Sequence, residues 1–184
     1  MAQNRPPVTH RRPSGEALRA TPTVLARLNA LGDDDLDAQL VEICSSPTWA
    51  KLVRTARPWA DDDAVHAANA AAMAQLGPAD LDDAMAGHAR IGEPKAGDAT
   101  SQREQSGVHG AGDAVLDELQ RANADYEARF GHVFLICATG RTADTMLDAL
   151  RARIGNTADT ERETVRGELR KINDIRIDRL LNEN

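Results

Sequence analysis

Aromatic residues are scarce in this chain: two Trp, one Tyr and two Phe make up 3% of its 184 residues. A core must therefore come from Ala, Leu, Ile and Val, a composition that favours helices over sheet. An excess of basic charge is also lacking. The formal net charge is −7, which argues against nucleic acid as a partner, because phosphate binding needs a basic face. The cluster Arg5, His10, Arg11 and Arg12 comes without aromatics and reads as a solvated tail. No apolar run approaches the roughly 20 residues needed to span a bilayer. Neither a secretory signal nor a peroxisomal tripeptide is present, the last residues being Asn182-Glu183-Asn184. Cysteine is rare as well. Cys44 follows Val41-Glu42-Ile43 and Cys137 follows Phe134-Leu135-Ile136, so both read as free buried thiols rather than a disulfide or metal ligands. A cytoplasmic protein without a membrane partner is the expectation.

What is present is globular: 41% of residues are hydrophobic and 28% charged. Residues 1–20, with Pro6, Pro7, Pro13 and Gly15, read as a disordered leader, and residues 21–184 as one helical domain. Val24, Leu25, Leu28 and Leu31 form a helical stripe closed by Gly32. Asp33 or Asp34 then caps a second helix. Ser46-Pro47 opens a third, with Trp49 as a core anchor. Further helices are expected over 61–76, from Asp80 into Gly87-His88, from Thr100 or Ser101, over 113–130 up to Gly131, from Thr142, and from about Thr157 to Leu181. The run Val133 to Ala138 has strand propensity but no second strand to pair with. A lone strand leaves its backbone unsatisfied, so a buried extended connector or one helical turn is expected. The fold class is all-α, a single-domain bundle of about seven to nine helices with short loops.

Two places carry possible chemistry. His88 leaves a helical run and enters a loop punctuated by Gly92, Pro94 and Gly97. Ser101, Glu104 and Gln105 follow at one-turn spacing. A loop histidine with a carboxylate close behind is a plausible proton-transfer pair. Taken alone, Ser101-x-x-Glu104 is first of all a capping box. His88, His109 and His132 match no compact metal motif, and His66 suits a satisfied polar position.

The ordered set is more specific than its parts. It comprises His88-Ala89-Arg90-Ile91-Gly92, Ser101-x-x-Glu104-Gln105, Asn123-x-x-Tyr126-x-x-Arg129-Phe130-Gly131, Phe134 to Ala138, Arg153-x-x-Asn156, and Ile172 to Arg176. Over roughly residues 20–181 this set resembles the 2-oxo-4-hydroxy-4-carboxy-5-ureidoimidazoline (OHCU) decarboxylase family. The resemblance implies an all-helical homodimer that converts the anionic ureidoimidazoline to (S)-allantoin in urate degradation, with no metal and no organic cofactor. It implies that His88 is the catalytic histidine and Glu104 the second catalytic group. It assigns substrate contacts to Ala89, Ser101, Gln105, Phe134, Leu135, Ile136, Cys137, Ala138 and Arg176, with Arg179 one turn further as an alternative to Arg176. One departure stands out: the family's proline after the histidine is Ala89 here. Two other readings remain at this point, a helical protein-interaction module and a homologue that binds purine metabolites without turnover. Convergence of His88, Glu104, Arg176 and the 134–138 backbone on one cavity separates the enzyme from the interaction module.

Overall fold

In a computed structural model of the chain, residues 23–93, 97–108 and 110–182 are described. The leader expected over 1–20 and His109 lie outside the described residues. Helix α1 (Val24–Ala30) starts at Thr23, whose side chain accepts from the Ala26 amide. Helix α2 (Asp33–Ile43) is capped by Gly32, not by Asp33 or Asp34; those aspartates fill the first turn, where they favour the helix dipole. Ser46 caps α3 (Pro47–Thr55), and Asp61 caps α4 (Asp62–Gln75). Helix α5 (Pro78–Ala86) begins two residues before Asp80, which instead reaches back to the Gly77 amide at 2.9 Å. After α6 (Ala99–Glu104) and a 3-10 turn (Ser106–Val108) come α7 (Asp113–Phe130), α8 (Ala143–Arg153) and α9 (Ala158–Asn182). Gly131 ends α7 at φ 76°, a left-handed angle that favours glycine. The described residues thus hold nine α-helices and no strand. None of those helices is long and apolar enough to cross a membrane.

The apolar side chains form two cores. The larger unites α1 to α5 with α9 around Leu36, Leu40, Trp49, Val53, Leu81 and Leu169. Trp49 is fully buried, and its indole N–H donates to Asn69 Oδ1 at 3.0 Å. The smaller core packs α7 against α8 through Leu119, Tyr126, Met146 and Leu150. Burying one such side chain contributes about 1.5–3 kcal/mol, so both cores are substantial.

Between the cores runs the 133–138 connector, which is neither strand nor helix. Leu135 belongs to the larger core and Cys137 packs against it, whereas Phe134, Ile136 and Ala138 belong to the smaller one. Alternation with period two is the signature of extended backbone. Here both faces are buried, which explains a nearly continuous apolar run without a sheet. Cys44 is buried as expected, and Cys137 is half-buried; both are free thiols.

Candidate functional site

The seam between the two cores opens into a cleft holding about 520 Å³ of space between atoms, its open mouth included. Four separate stretches of sequence build it: the loop after α5, helix α6, the connector, and the last third of α9.

His88 and Ala89 line the cleft just after α5. The His88 amide donates to the Met85 carbonyl at 2.9 Å, so the chain turns sharply off the helix end. Gly87 allows this turn to sit against the link between α2 and α3, because a β-carbon there would lie 2.1 Å from Ser45 Oγ. Beyond His88 the loop is braced on three sides. Gln105 Oε1 accepts from the Gly92 amide at 2.9 Å, and its Nε2 donates to the Arg90 carbonyl at 3.0 Å. Buried Asn123 donates to the Ile91 carbonyl at 2.9 Å. Arg90 forks onto Glu127, with both contacts at 2.6 Å.

Helix α6 corrects the capping-box reading. Its N-cap is Asp98, whose Oδ1 accepts from the amides of Thr100 and Ser101 at 2.9 and 3.1 Å. Ser101 is therefore inside the first turn, not at the cap, and it is a buried residue lining the cleft. Glu104 lines the same cleft one turn on. Its carboxylate receives a bidentate fork from Arg176, Nε to Oε1 at 2.7 Å and Nη2 to Oε2 at 2.9 Å. Arg176 also donates Nη1 to the Ile43 carbonyl at 2.8 Å, closing the C-terminal turn of α2. Arg179 approaches Glu104 at 3.4 Å. Two arginines around one carboxylate leave this corner with an excess positive charge.

The connector is held from α8 and α9. The Leu135 carbonyl accepts from Arg153 Nη1 at 2.8 Å, and the Cys137 amide donates to Glu168 at 2.8 Å. The Arg153 guanidinium lies 4.6 Å over the Phe134 ring. Its Nε and Nη2 reach Glu161 at 2.9 and 2.5 Å. Glu161 is fully buried and also accepts from the Tyr126 hydroxyl and from Asn156 Nδ2. Burial, reinforced by the Glu161 carboxylate, pushes the Tyr126 phenol well above its ordinary pKa. Burial raises Glu168, but the Lys171 ammonium and the Cys137 amide outweigh it and leave this carboxyl below the usual range.

Of the residues singled out in sequence, His88, Ala89, Ser101, Glu104, Gln105, Phe134, Leu135, Ile136, Ala138 and Arg176 all line the cleft; Cys137 does not, since its side chain packs towards the larger core. Gln105 lines it while its amide holds the His88 loop. Arg176 faces the cleft, and Arg179 does not line it. Asp98, Thr139, Ile172 and Ile175 are cleft residues that sequence patterning missed. The two isoleucines sit in the core stripe of α9, where periodicity does not distinguish a core from a cleft wall. Asp98 was masked by the stronger-looking cap at Ser101. Among the described residues no group of three His, Cys, Asp or Glu is placed to hold a metal ion. His66 does not line this cleft and pairs with Asp174 and Asp178 of α9.

Known proteins share this architecture. Residues 29–178 match the model of a family described as OHCU decarboxylase. The uric acid degradation bifunctional protein TTL of Arabidopsis thaliana is 31% identical over 147 residues, which cover 76% of this chain and 45% of that protein. The chain thus spans less than half the length of that relative. A 2-oxo-4-hydroxy-4-carboxy-5-ureidoimidazoline decarboxylase of Haloferax volcanii is 24% identical over 156 residues, covering 83% of this chain and 93% of its own. The crystal structure of an OHCU decarboxylase in the presence of (S)-allantoin matches with a TM-score of 0.69 and 27% identity, covering 83% of this chain and 100% of that one.

Proposed function

Because the chain belongs to the OHCU decarboxylase family, we propose that it removes carbon dioxide from 2-oxo-4-hydroxy-4-carboxy-5-ureidoimidazoline to give (S)-allantoin in urate degradation. The observation that carries this is convergence: loop, α6, connector and α9 meet around one cleft although they span residues 87 to 176. A protein-interaction module has no need of such a gathering.

The chemistry asks little of a cofactor. When the bond to the carboxylate breaks, carbon dioxide leaves and the electron pair passes into the adjacent ring C=N bond, whose nitrogen takes up the proton of the 4-hydroxyl and leaves an enolate. A proton then returns to the ring from one face. His88, at the cleft wall, is the group that transfers this proton. A placed general acid or base contributes about 10²–10⁴-fold, and delivery from one side sets the (S) configuration.

Arg176 attracts and orients the substrate anion. Three of its five N–H groups are engaged by Glu104 and the Ile43 carbonyl, which leaves one on each Nη for a ligand. Glu104 holds this guanidinium in place and offers its remaining lone pairs to substrate N–H groups. Ser101 contributes a hydroxyl. Backbone groups of the connector meet the ring oxygens; loss of one such donor in other enzymes costs about 10²–10³-fold. The family's homodimer is carried over as the assembly. The two free thiols suit a reducing cytoplasm.

The test generates the unstable substrate from urate in situ and follows allantoin chirality by circular dichroism. Acceleration with an (S) signal is expected from the wild-type chain, and none from His88→Asn with an unchanged far-ultraviolet spectrum. Full activity in that variant refutes the role of His88. A wild-type rate equal to spontaneous, racemising decay refutes the function.

A further inference from the structure

We propose that Glu168, Arg153 and Arg141 are positioning residues that fasten one edge of the connector, so that its opposite edge meets a ureide group of the ligand in fixed register. The identity of the ligand rests on the decarboxylase reading; the fastening rests on geometry.

In extended backbone, the N–H and C=O of one residue point to the same edge, and those of the next residue to the other. The three backbone groups captured by charged side chains all come from residues of one parity. Arg153 donates to the Leu135 carbonyl at 2.8 Å, Glu168 accepts from the Cys137 amide at 2.8 Å, and Arg141 donates to the Cys137 carbonyl at 3.1 Å. Cation meets carbonyl and anion meets amide at every contact. These side chains do the work of a neighbouring strand, and charge-assisted bonds do it more strongly than neutral ones. The clamp is itself anchored: Arg153 by buried Glu161, and Glu168 by Lys171 at 2.7 Å.

The other parity comprises Phe134, Ile136 and Ala138, which line the cleft together with Leu135 of the clamped parity. The Ile136 N–H and C=O form no hydrogen bond among the described residues. A donor and an acceptor side by side on one edge are complementary to the C=O and N–H of a ureide, as one strand is to the next. Displacing that edge by about 1 Å is enough to cost about 10²-fold in a reaction that depends on orientation.

Glu168 is the residue to vary, since it lies at the protein's edge of the connector and not in the cleft. In the full chain, Glu168→Ala is expected to raise KM and the Kd for (S)-allantoin about 10- to 100-fold. It should also lower the enantiomeric excess of product at enzyme concentrations that outrun spontaneous decay, because a loosened edge admits the ring in more than one pose. Glu168→Gln keeps an acceptor oxygen for the Cys137 amide and should recover most of both. A purely structural residue would change urea stability while leaving enantiomeric excess and Kd alone, and that result overturns the proposal. Equal losses in the Ala and Gln variants also overturn it. An inactive wild-type chain counts against the decarboxylase reading instead; the proposal then stands or falls on whether Glu168→Ala weakens (S)-allantoin binding.

Discussion

Arg176 and Arg179 lie one helical turn apart, and the sequence leaves either free to hold the substrate anion; the structure makes them unequal in a measurable way. Arg176 lines the cleft, is locked by the Glu104 fork and the Ile43 carbonyl, and keeps two N–H groups for a ligand. Arg179 touches the same carboxylate only at 3.4 Å, and its side chain is 25% exposed. A hydrogen bond to a charged group contributes about 1.5–3 kcal/mol, and each 1.4 kcal/mol is about tenfold. Arg176→Gln should therefore lower kcat/KM by about 10- to 150-fold, with the Kd for (S)-allantoin less affected because the product carries no carboxylate. Arg179→Gln removes a loosely held, partly exposed pair worth about 0–1 kcal/mol and should cost less than about fivefold. Both variants should be assayed at low and high salt, with urea unfolding measured alongside, since Arg176→Gln also unties α6 and α2 from α9. A larger loss of kcat/KM in Arg179→Gln than in Arg176→Gln refutes the assignment.

Glu161→Leu should destabilise the chain by about 3–5 kcal/mol, the usual cost of stranding the partner of a buried ion pair, because Arg153, Tyr126 and Asn156 all lose their acceptor; a change below about 1 kcal/mol in urea unfolding refutes this. His66 joins α4 to α9 through Asp174 and Asp178. Burial lowers its pKa, but the two aspartates together outweigh burial and leave it raised. Its stabilising contribution should thus be complete below its unfolded pKa near 6.5 and vanish as pH rises through the folded value. Urea titrations of His66→Gln against wild type should converge with rising pH, and a gap that widens with pH refutes the sign.

Helix existence was legible in sequence because stripes such as Leu36–Leu40 and Val165–Leu169 are repeated by the cores they enter. Helix starts were less legible. Gly32, Gly77 and Asp98 took positions that Asp33, Asp80 and Ser101 seemed better suited to fill, since cap choice depends on where the preceding chain arrives. The connector could be inferred as buried and unpaired, by elimination of a partner strand. Its fastening could not: Arg153, Glu161 and Glu168 are ordinary helix residues until α8 and α9 are placed beside it. Likewise Glu104 suggested a partner for His88, whereas its contacts to α9 are two arginines, a pairing across more than 70 positions of chain that local spacing does not encode.

Ala89 illustrates how a local departure is absorbed by longer-range contacts. A proline there would confine His88 to extended angles and stiffen the loop through its own ring. In this chain the same loop is held by side chains arriving from α6 and α7. Gln105 grips Arg90 and Gly92, Asn123 grips Ile91, and Glu127 holds the Arg90 side chain. Proline acts on the unfolded chain by removing conformations, while these bonds act only once α6 and α7 are docked. The order of the His88 loop is therefore coupled to the packing of the smaller core, and Gln105 serves the cleft by holding the backbone around the histidine. That coupling explains how the position after His88 can lose its proline without leaving the loop unsupported.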